Sequence, residues 1–329
     1  MIEISRYDKK VYLNMCDCDI DYIKVLLSPY FECQINDKSP DLLNWVISLE
    51  DDQKFDDDII VKQFHDNIGL IKRTYIYSKK NKRILVREPL GKEQKLQIAI
   101  RLIREIMRHY QINEKHLFFH GGCIEKNNQG IAFLGHKKSG KTTNIINLLS
   151  ATGYSYVSND DISFCVDKGK IVAYGWPRAI NIRLDTLPYI SRLTQLRELN
   201  FLALKHPDNK ELCYLNKNKS IIMYPFELAE VCGISIKKQV ELKYIIFPEF
   251  SDEITELVEI CNSKKIEFLE RFLEKNIDKY FEPFSEQFTS YSPKKEILSE
   301  FKKIKMFKLK QNFKSLDKVI GLVEELFDE

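Results

Sequence analysis

Residues 120–161 read HGGCIEKNNQGIAFLGHKKSGKTTNIINLLSATGYSYVSNDD. At their centre, Gly135-His136-Lys137-Lys138-Ser139-Gly140-Lys141-Thr142 fits the pattern G-x-x-x-x-G-K-[ST] at every fixed position. Ile131 to Leu134, a short apolar run between two glycines, precedes it as a buried strand does. Ile145, Ile146, Leu148 and Leu149 follow at helical spacing. The order predicted is strand, glycine loop, helix. Such a loop turns backbone N–H groups toward phosphate oxygens, and the helix N-terminus adds its partial positive charge. Gly135, His136, Lys137, Lys138, Ser139, Gly140, Lys141, Thr142 and Thr143 are therefore the expected nucleotide-binding segment. At positions 136–138 the backbone matters more than the side chains. Lys141 is expected to reach the terminal phosphates as a point charge. The Thr142 hydroxyl is expected to ligate Mg2+, a hard ion that prefers oxygen.

Asp160 and Asp161 follow the next expected strand, Tyr154 to Ser158. An acidic residue at a strand end near the phosphates completes a metal site. A second carboxylate beside it is free to take the proton of an attacking hydroxyl, or to orient water. His120 stands just before Gly121-Gly122, near the strand that leads to the loop. A protonated imidazole there can stabilise phosphate charge or tune the base, though histidines at core strands often do no more than hydrogen-bond.

The 329 residues suffice for one large domain or two ordinary ones. At 44% apolar and 12% aromatic, the chain can bury a sizeable core. The 51 basic and 48 acidic side chains leave a formal charge of +3, which gives no footprint for nucleic acid. The N-terminus lacks a signal-peptide pattern, and no run approaches the ~20 apolar residues of a membrane span. A cytoplasmic protein without membrane partners is expected. Eight cysteines occur without any Cys-x-x-Cys pair, and Cys16-x-Cys18 alone is weak evidence for zinc.

A small N-terminal α/β module is expected over residues 1–112. Strands are expected at Ile2–Ile4, Lys10–Leu13, Leu42–Leu49, Ile59–Phe64, Leu70–Tyr77 and Arg83–Arg87, the last two joined as a hairpin. Helices are expected at Ile20–Leu27 and Glu93–Tyr110, the second with a stripe of Ala99, Leu102, Ile103, Ile106 and Met107. Residues 113–329 are the expected nucleotide-binding domain. There Leu117–His120 and Ile131–Leu134 flank a polar turn as a hairpin. Further strands are expected at Ile162–Val166, Ile171–Tyr174, Ala179–Ile182, Ile221–Tyr224 and Leu242–Phe247. Helices are expected at Leu187–Leu204, Ile266–Leu273 and Leu316–Phe327, with a polar excursion over Lys205–Lys219. The basic stretch Lys294–Lys310 is expected as a solvated face.

His120-Gly121-Gly122, the strand into Gly135–Thr142, and Tyr154 to the Asp160-Asp161 pair resemble the catalytic core of the HPr kinase/phosphorylase family. The resemblance covers residues 117–166. It implies an α/β fold whose P-loop kinase core, with a mixed sheet, is similar to phosphoenolpyruvate carboxykinase rather than to the GTPases. It further implies His120, Lys141 and Asp161 as catalytic residues, with Asp161 the base, and Thr142 and Asp160 on the metal. ATP and Mg2+ are the implied cofactors, and a homo-oligomer the implied assembly. The family's later glycine-rich signature with its acidic metal ligand has no counterpart, Asp185 being a positional candidate. Its Pro-Gly-Arg segment for phosphorolysis is also missing. The pattern is closer to stand-alone members, some of which phosphorylate a serine of ribosomally made peptides during lasso-peptide maturation. The expectation is thus a kinase acting on a serine hydroxyl of a peptide or protein. The alternatives are a nucleotide-binding regulatory or scaffold subunit, and a small-molecule kinase.

Overall fold

A computed structural model describes residues 1–15, 20–41, 43–49, 59–65, 72–87, 91–186, 204–209, 220–274 and 295–328. They fall into two compact units, one within Met1–Glu114 and one within Lys115–Lys275 and Ser292–Glu329. Both are mixed α/β.

The first unit is a seven-stranded sheet in the order β3-β1-β2-β4-β7-β6-β5. Its strands are β1 (Ile2–Arg6), β2 (Lys9–Asn14), β3 (Glu32–Ile35), β4 (Trp45–Ser48), β5 (Ile60–His65), β6 (Lys72–Ser78) and β7 (Arg83–Arg87). The pairs β2–β4 and β4–β7 are parallel and the others antiparallel. Helix α1 spans Ile20–Leu27, and α2 (Lys92–Asn113) lies against β2, β4 and β7. The stripe Ala99, Leu102, Ile103, Ile106 and Met107 is buried, as its helical spacing requires. Strand β3 was not legible in sequence because it is a mostly exposed edge without apolar alternation. The expected segments at Leu42 and at Leu70 begin on residues outside those described.

Glu3 ties three strands of this sheet together. Its carboxylate, 2% exposed, pairs with Lys10 Nζ at 2.9 Å and accepts hydrogen bonds from Gln34, Asn36 and Tyr12 at 2.8–3.0 Å. Burial pushes the Glu3 carboxyl up, but those four partners together outweigh it and hold the pKa at about 2. A folded pKa below the unfolded one means stability that is present above the unfolded value of about 4.5 and is lost as pH falls through about 2. Glu3→Gln is expected to cost about 1.5–3 kcal/mol at neutral pH, the range for hydrogen bonds to a charged group. In urea unfolding, the gap to wild type is expected to close as the pH is lowered toward 2. A gap independent of pH contradicts it.

The second unit holds β8 (Leu117–Phe119), β9 (Gly121–Lys126), β10 (Gln129–Leu134), α3 (Lys141–Leu149), β11 (Ser155–Ser158), β12 (Ile162–Asp167) and β13 (Lys170–Tyr174). It continues with β14 (Ile180–Arg183), β15 (Ser220–Met223), α4 (Pro225–Cys232), β16 (Gln239–Phe250), β17 (Glu256–Glu259) and α5 (Lys265–Glu270). The last elements are α6 (Lys295–Glu300), β18 (Lys305–Gln311) and α7 (Leu316–Asp328). The main sheet runs β11-β9-β10-β16-β13-β12-β8. The long strand β16 lies parallel to β10, and changes its other neighbour from antiparallel β13 to parallel β18, which also pairs with β17. Strands β14 and β15 form a separate antiparallel ribbon.

Strands β8 and β9 are separated only by His120, yet they occupy opposite stretches of the hydrogen-bonded order. Consecutive Cα atoms are about 3.8 Å apart, so the sheet must curl back on itself to connect them. His120 sits at that seam. This corrects the expected hairpin: Leu117–Phe119 pairs with β12, and the partner of β10 is Gly121–Lys126. The hairpin turn is Asn127-Asn128, both at positive φ, the two-residue geometry that follows strand twist. Gly121 and Gly122 open β9, where neighbouring backbone leaves no room for a side chain. A Cβ on Gly121 would meet Phe133 O at 2.5 Å, and one on Gly122 would meet Ser158 O at 2.6 Å.

The basic stretch was also more than a solvated face. It contains β18, whose Met306, Phe307 and Leu309 are buried. The expected polar excursion begins with buried His206 and Asn209. The Asn209 amide accepts from Ile222 N–H at 2.9 Å and donates to Ile222 O at 2.7 Å, extending the β15 ladder. Residues 210–219, and residues 187–203 of the expected helix, lie outside those described, as does Cys16-x-Cys18. Among the described residues no helix is long and apolar enough to cross a membrane.

Candidate active site

The segment around the glycine loop folds as strand, loop, helix. Strand β10 is buried from Gly130 to Leu134, and α3 buries Ile145, Ile146, Leu148 and Leu149. The Asn147 amide donates to Leu316 O at 2.8 Å, anchoring α3 to the start of α7. Between them, Lys138 and Gly140 take positive φ, and Gly140 at +100° caps the helix. A Cβ at Gly140 would stand 2.2 Å from Gln311 Nε2, so β18 closes on the loop where only glycine fits.

The loop opens on a cavity of about 670 Å³. Lys137, Lys138, Gly140, Lys141, Thr142 and Thr143 line it, with His120 and Asp160. Gly135, His136 and Ser139 complete the loop without lining the cavity. The His136 ring instead packs edge-on against Phe272, centroids 5.0 Å apart, so its side chain has a packing role that spacing did not indicate.

Lys141 folds back over its own loop. Its Nζ donates to Gly135 O and His136 O, both at 2.8 Å, leaving one donor of the ammonium. Burial lowers the Lys141 pKa, with Asp160 opposing that shift. The Thr142 hydroxyl donates to Asn159 Oδ1 at 3.1 Å, so its oxygen lone pairs stay available to a cation. Asn159 is buried, and its Nδ2 has no protein partner among the described residues.

The two aspartates separate sharply. Asp160, at φ +64°, lines the cavity. His120 Nδ1 is 3.1 Å from Asp160 O, and since a carbonyl only accepts, Nδ1 carries the proton in that bond. Its Nε2 lies 3.9 Å from Asp160 Oδ1. Asp161 turns the other way. Its carboxylate is 3% exposed, absent from the cavity lining, and paired with Arg178 Nη1 at 3.0 Å. The Ser158 hydroxyl donates to Asp161 O and fixes the turn. In this arrangement the Asp161 carboxylate is held by a guanidinium, and Asp160 is the member of the pair that faces the cavity. The physical reason is the guanidinium, which draws the second carboxylate inward and leaves the first in the cavity.

Arg178 joins the cavity without having been expected from local pattern. It lies just beyond β13, and Trp176 before it is anchored by its indole N–H donating to Ser163 Oγ at 3.1 Å. Arg178 lines the cavity while holding Asp161. A Pro-Arg step at a strand end, downstream of an Asp pair, was the available signal. Arg183 and Asp185 also line the cavity, joined by Arg183 Nε to Asp185 Oδ1 at 2.9 Å. Asp185 thus reaches the site, already partnered. Among the described residues no group of three His, Cys, Asp or Glu side chains could hold a metal by itself.

No protein-family model matches the chain. No curated protein matches it. Among solved structures, it is similar to the HPr(Ser) kinase/phosphatase from Coxiella burnetii, at 10% identity and a TM-score of 0.32, over 63% of this chain and 94% of that one. The relationship is a distant structural one.

Proposed function

We propose that the chain is a nucleoside-triphosphate-dependent kinase acting on a hydroxyl. One observation carries this: Lys141, Thr142 and Asp160 line a single cavity together with His120 and Arg178. Phosphoryl transfer demands positioning and charge stabilisation more than covalent chemistry, and cations over a glycine loop supply both. The donor set fits Mg2+. Thr142 and Asp160 offer only oxygen, and Mg2+ commonly takes one or two protein oxygens and keeps waters and substrate phosphates. When bound, the ion neutralises charge on the phosphates.

The chain's own groups divide the remaining work. Lys141 exchanges its loop carbonyls for phosphate oxygens. Arg178, held by Asp161, lines the same cavity and adds a second positive charge for the transferred group. With Nδ1 donating to Asp160 O, His120 Nε2 is the acceptor nitrogen, and we assign it the proton of the attacking hydroxyl. Asp161 becomes a positioning residue for Arg178. A serine of a peptide or protein is the acceptor class the resemblance over residues 117–166 supports, with ATP as donor.

A second class, a nucleotide-binding regulatory subunit with little transfer, is favoured by one observation: the carboxylate expected as base is ion-paired and out of the cavity. Labelled ATP with Mg2+, incubated with candidate peptides and cell extract, separates the two. Label on a peptide or protein supports the kinase. ATP bound but neither transferred nor consumed supports the subunit.

A further inference from the structure

An aromatic pair stands at the edge of the glycine loop. Phe250 ends β16, and Phe313 opens a short 3-10 turn, Phe313–Ser315, after β18. Their ring centroids lie 5.1 Å apart with planes 31° from parallel. Both line the cavity shared with Gly140, Lys141 and Thr142. Phe250 leaves 44% of its surface exposed. Its Cζ is 3.1 Å from where a Cβ on residue 140 would lie, so the ring abuts the loop itself.

The pair is rigidly mounted. The parallel register sets Phe250 opposite Gln311, and Ser251 N–H donates to Gln311 O at 2.9 Å. The buried Gln311 amide donates to Ser139 O at 3.2 Å, linking the mount to the loop. Asn312 pins the turn: its side chain accepts from Lys314 N–H at 2.9 Å and donates to Asp252 O at 2.6 Å. Groups held on strand ends present a fixed surface and lose little freedom on binding.

Inorganic phosphates have no use for two phenyl rings. A nucleotide has: its phosphates need the cations, and its base needs an apolar face. We propose that Phe250 and Phe313 form the stacking platform for the base of the nucleotide, a purine being favoured because its larger face covers more apolar surface. The assignment rests on the glycine loop holding that nucleotide's phosphates. Stacking reads the face of a base and not its edge, so the platform selects for an aromatic base with little distinction between adenine and guanine.

The test is calorimetric titration of the full chain with ADP and with inorganic pyrophosphate, both in Mg2+. Wild type is expected to bind ADP well ahead of pyrophosphate. Phe250→Ala and Phe313→Ala are expected to weaken ADP roughly 10- to 100-fold, the scale of one lost stacking contact, with pyrophosphate far less affected. Phe250→Tyr keeps the ring and is expected to keep ADP affinity. Unchanged ADP affinity in both alanine variants overturns the platform. So does an equal loss for both ligands, or a Phe250→Tyr variant as weak as Phe250→Ala. A wild type that binds neither ligand overturns the nucleotide assignment, and the platform with it.

Discussion

Lys141→Ala is expected to lower phosphoryl transfer by roughly 10²–10³-fold, the cost of removing one preorganised charge stabiliser. The ammonium is buried and held by two carbonyls of its own loop, partners that the proposed mechanism has it exchange for phosphate oxygens. Lys141→Arg is expected to fail as well, because a planar guanidinium cannot replace a compact ammonium between Gly135 O and His136 O. The pH profile carries a second signature. Burial lowers the Lys141 pKa, and its charged form is lost as pH rises through that lowered value. The alkaline limb of kcat/KM, which reports the free protein, is expected below the ordinary lysine value. Initial rates with labelled ATP, with thermal melts to verify folding, check both points. Turnover within a few-fold of wild type in Lys141→Ala removes this lysine from the mechanism.

Asp160 and Asp161 are expected to behave as opposites. Asp161→Ala strips the carboxylate from a guanidinium 3.0 Å away. Breaking a buried pair costs about 3 kcal/mol at the lower end of its range, appropriate because Arg178 keeps some solvent contact. A fall in denaturation midpoint is therefore expected, together with lost turnover. Asp161→Asn keeps the shape and one acceptor, and should lie between. Asp160→Asn is expected to leave the midpoint near wild type and to lower turnover by roughly 10²-fold, with a raised Mg2+ requirement. If Asp161→Ala is as stable as wild type while Asp160→Asn is active, the roles given to the two residues are wrong.

The site's local elements were legible because they depend on short-range pattern. Ile131–Leu134, Gly135–Thr142 and Ile145–Leu149 announced themselves through burial period and glycine placement. Helix α1 and strand β7 have the bounds that periodicity gave them. What escaped depends on distant neighbours. That positions 121 and 122 must be glycine is set by Phe133 O and Ser158 O, which press on them from other strands. The lysines of KMFKLKQ mask a strand whose Phe307, Leu309 and Gln311 face the core at period two, because their charge density reads as a solvated face. The Asp161–Arg178 pair spans seventeen positions and two strands, and no local pattern reveals it. Phe250 and Phe313 meet only through the β16–β18 register.

The chain has two tryptophans, and they fall one to a unit. Trp45 is buried in β4, and Trp176 is buried two positions before Arg178. Each unit thus carries its own intrinsic fluorophore. Trp45→Phe leaves emission that reports on the second unit alone, and Trp176→Phe leaves emission from the N-terminal sheet. Two single-tryptophan denaturation curves that superimpose mean one cooperative transition for the whole chain, and two displaced curves mean two.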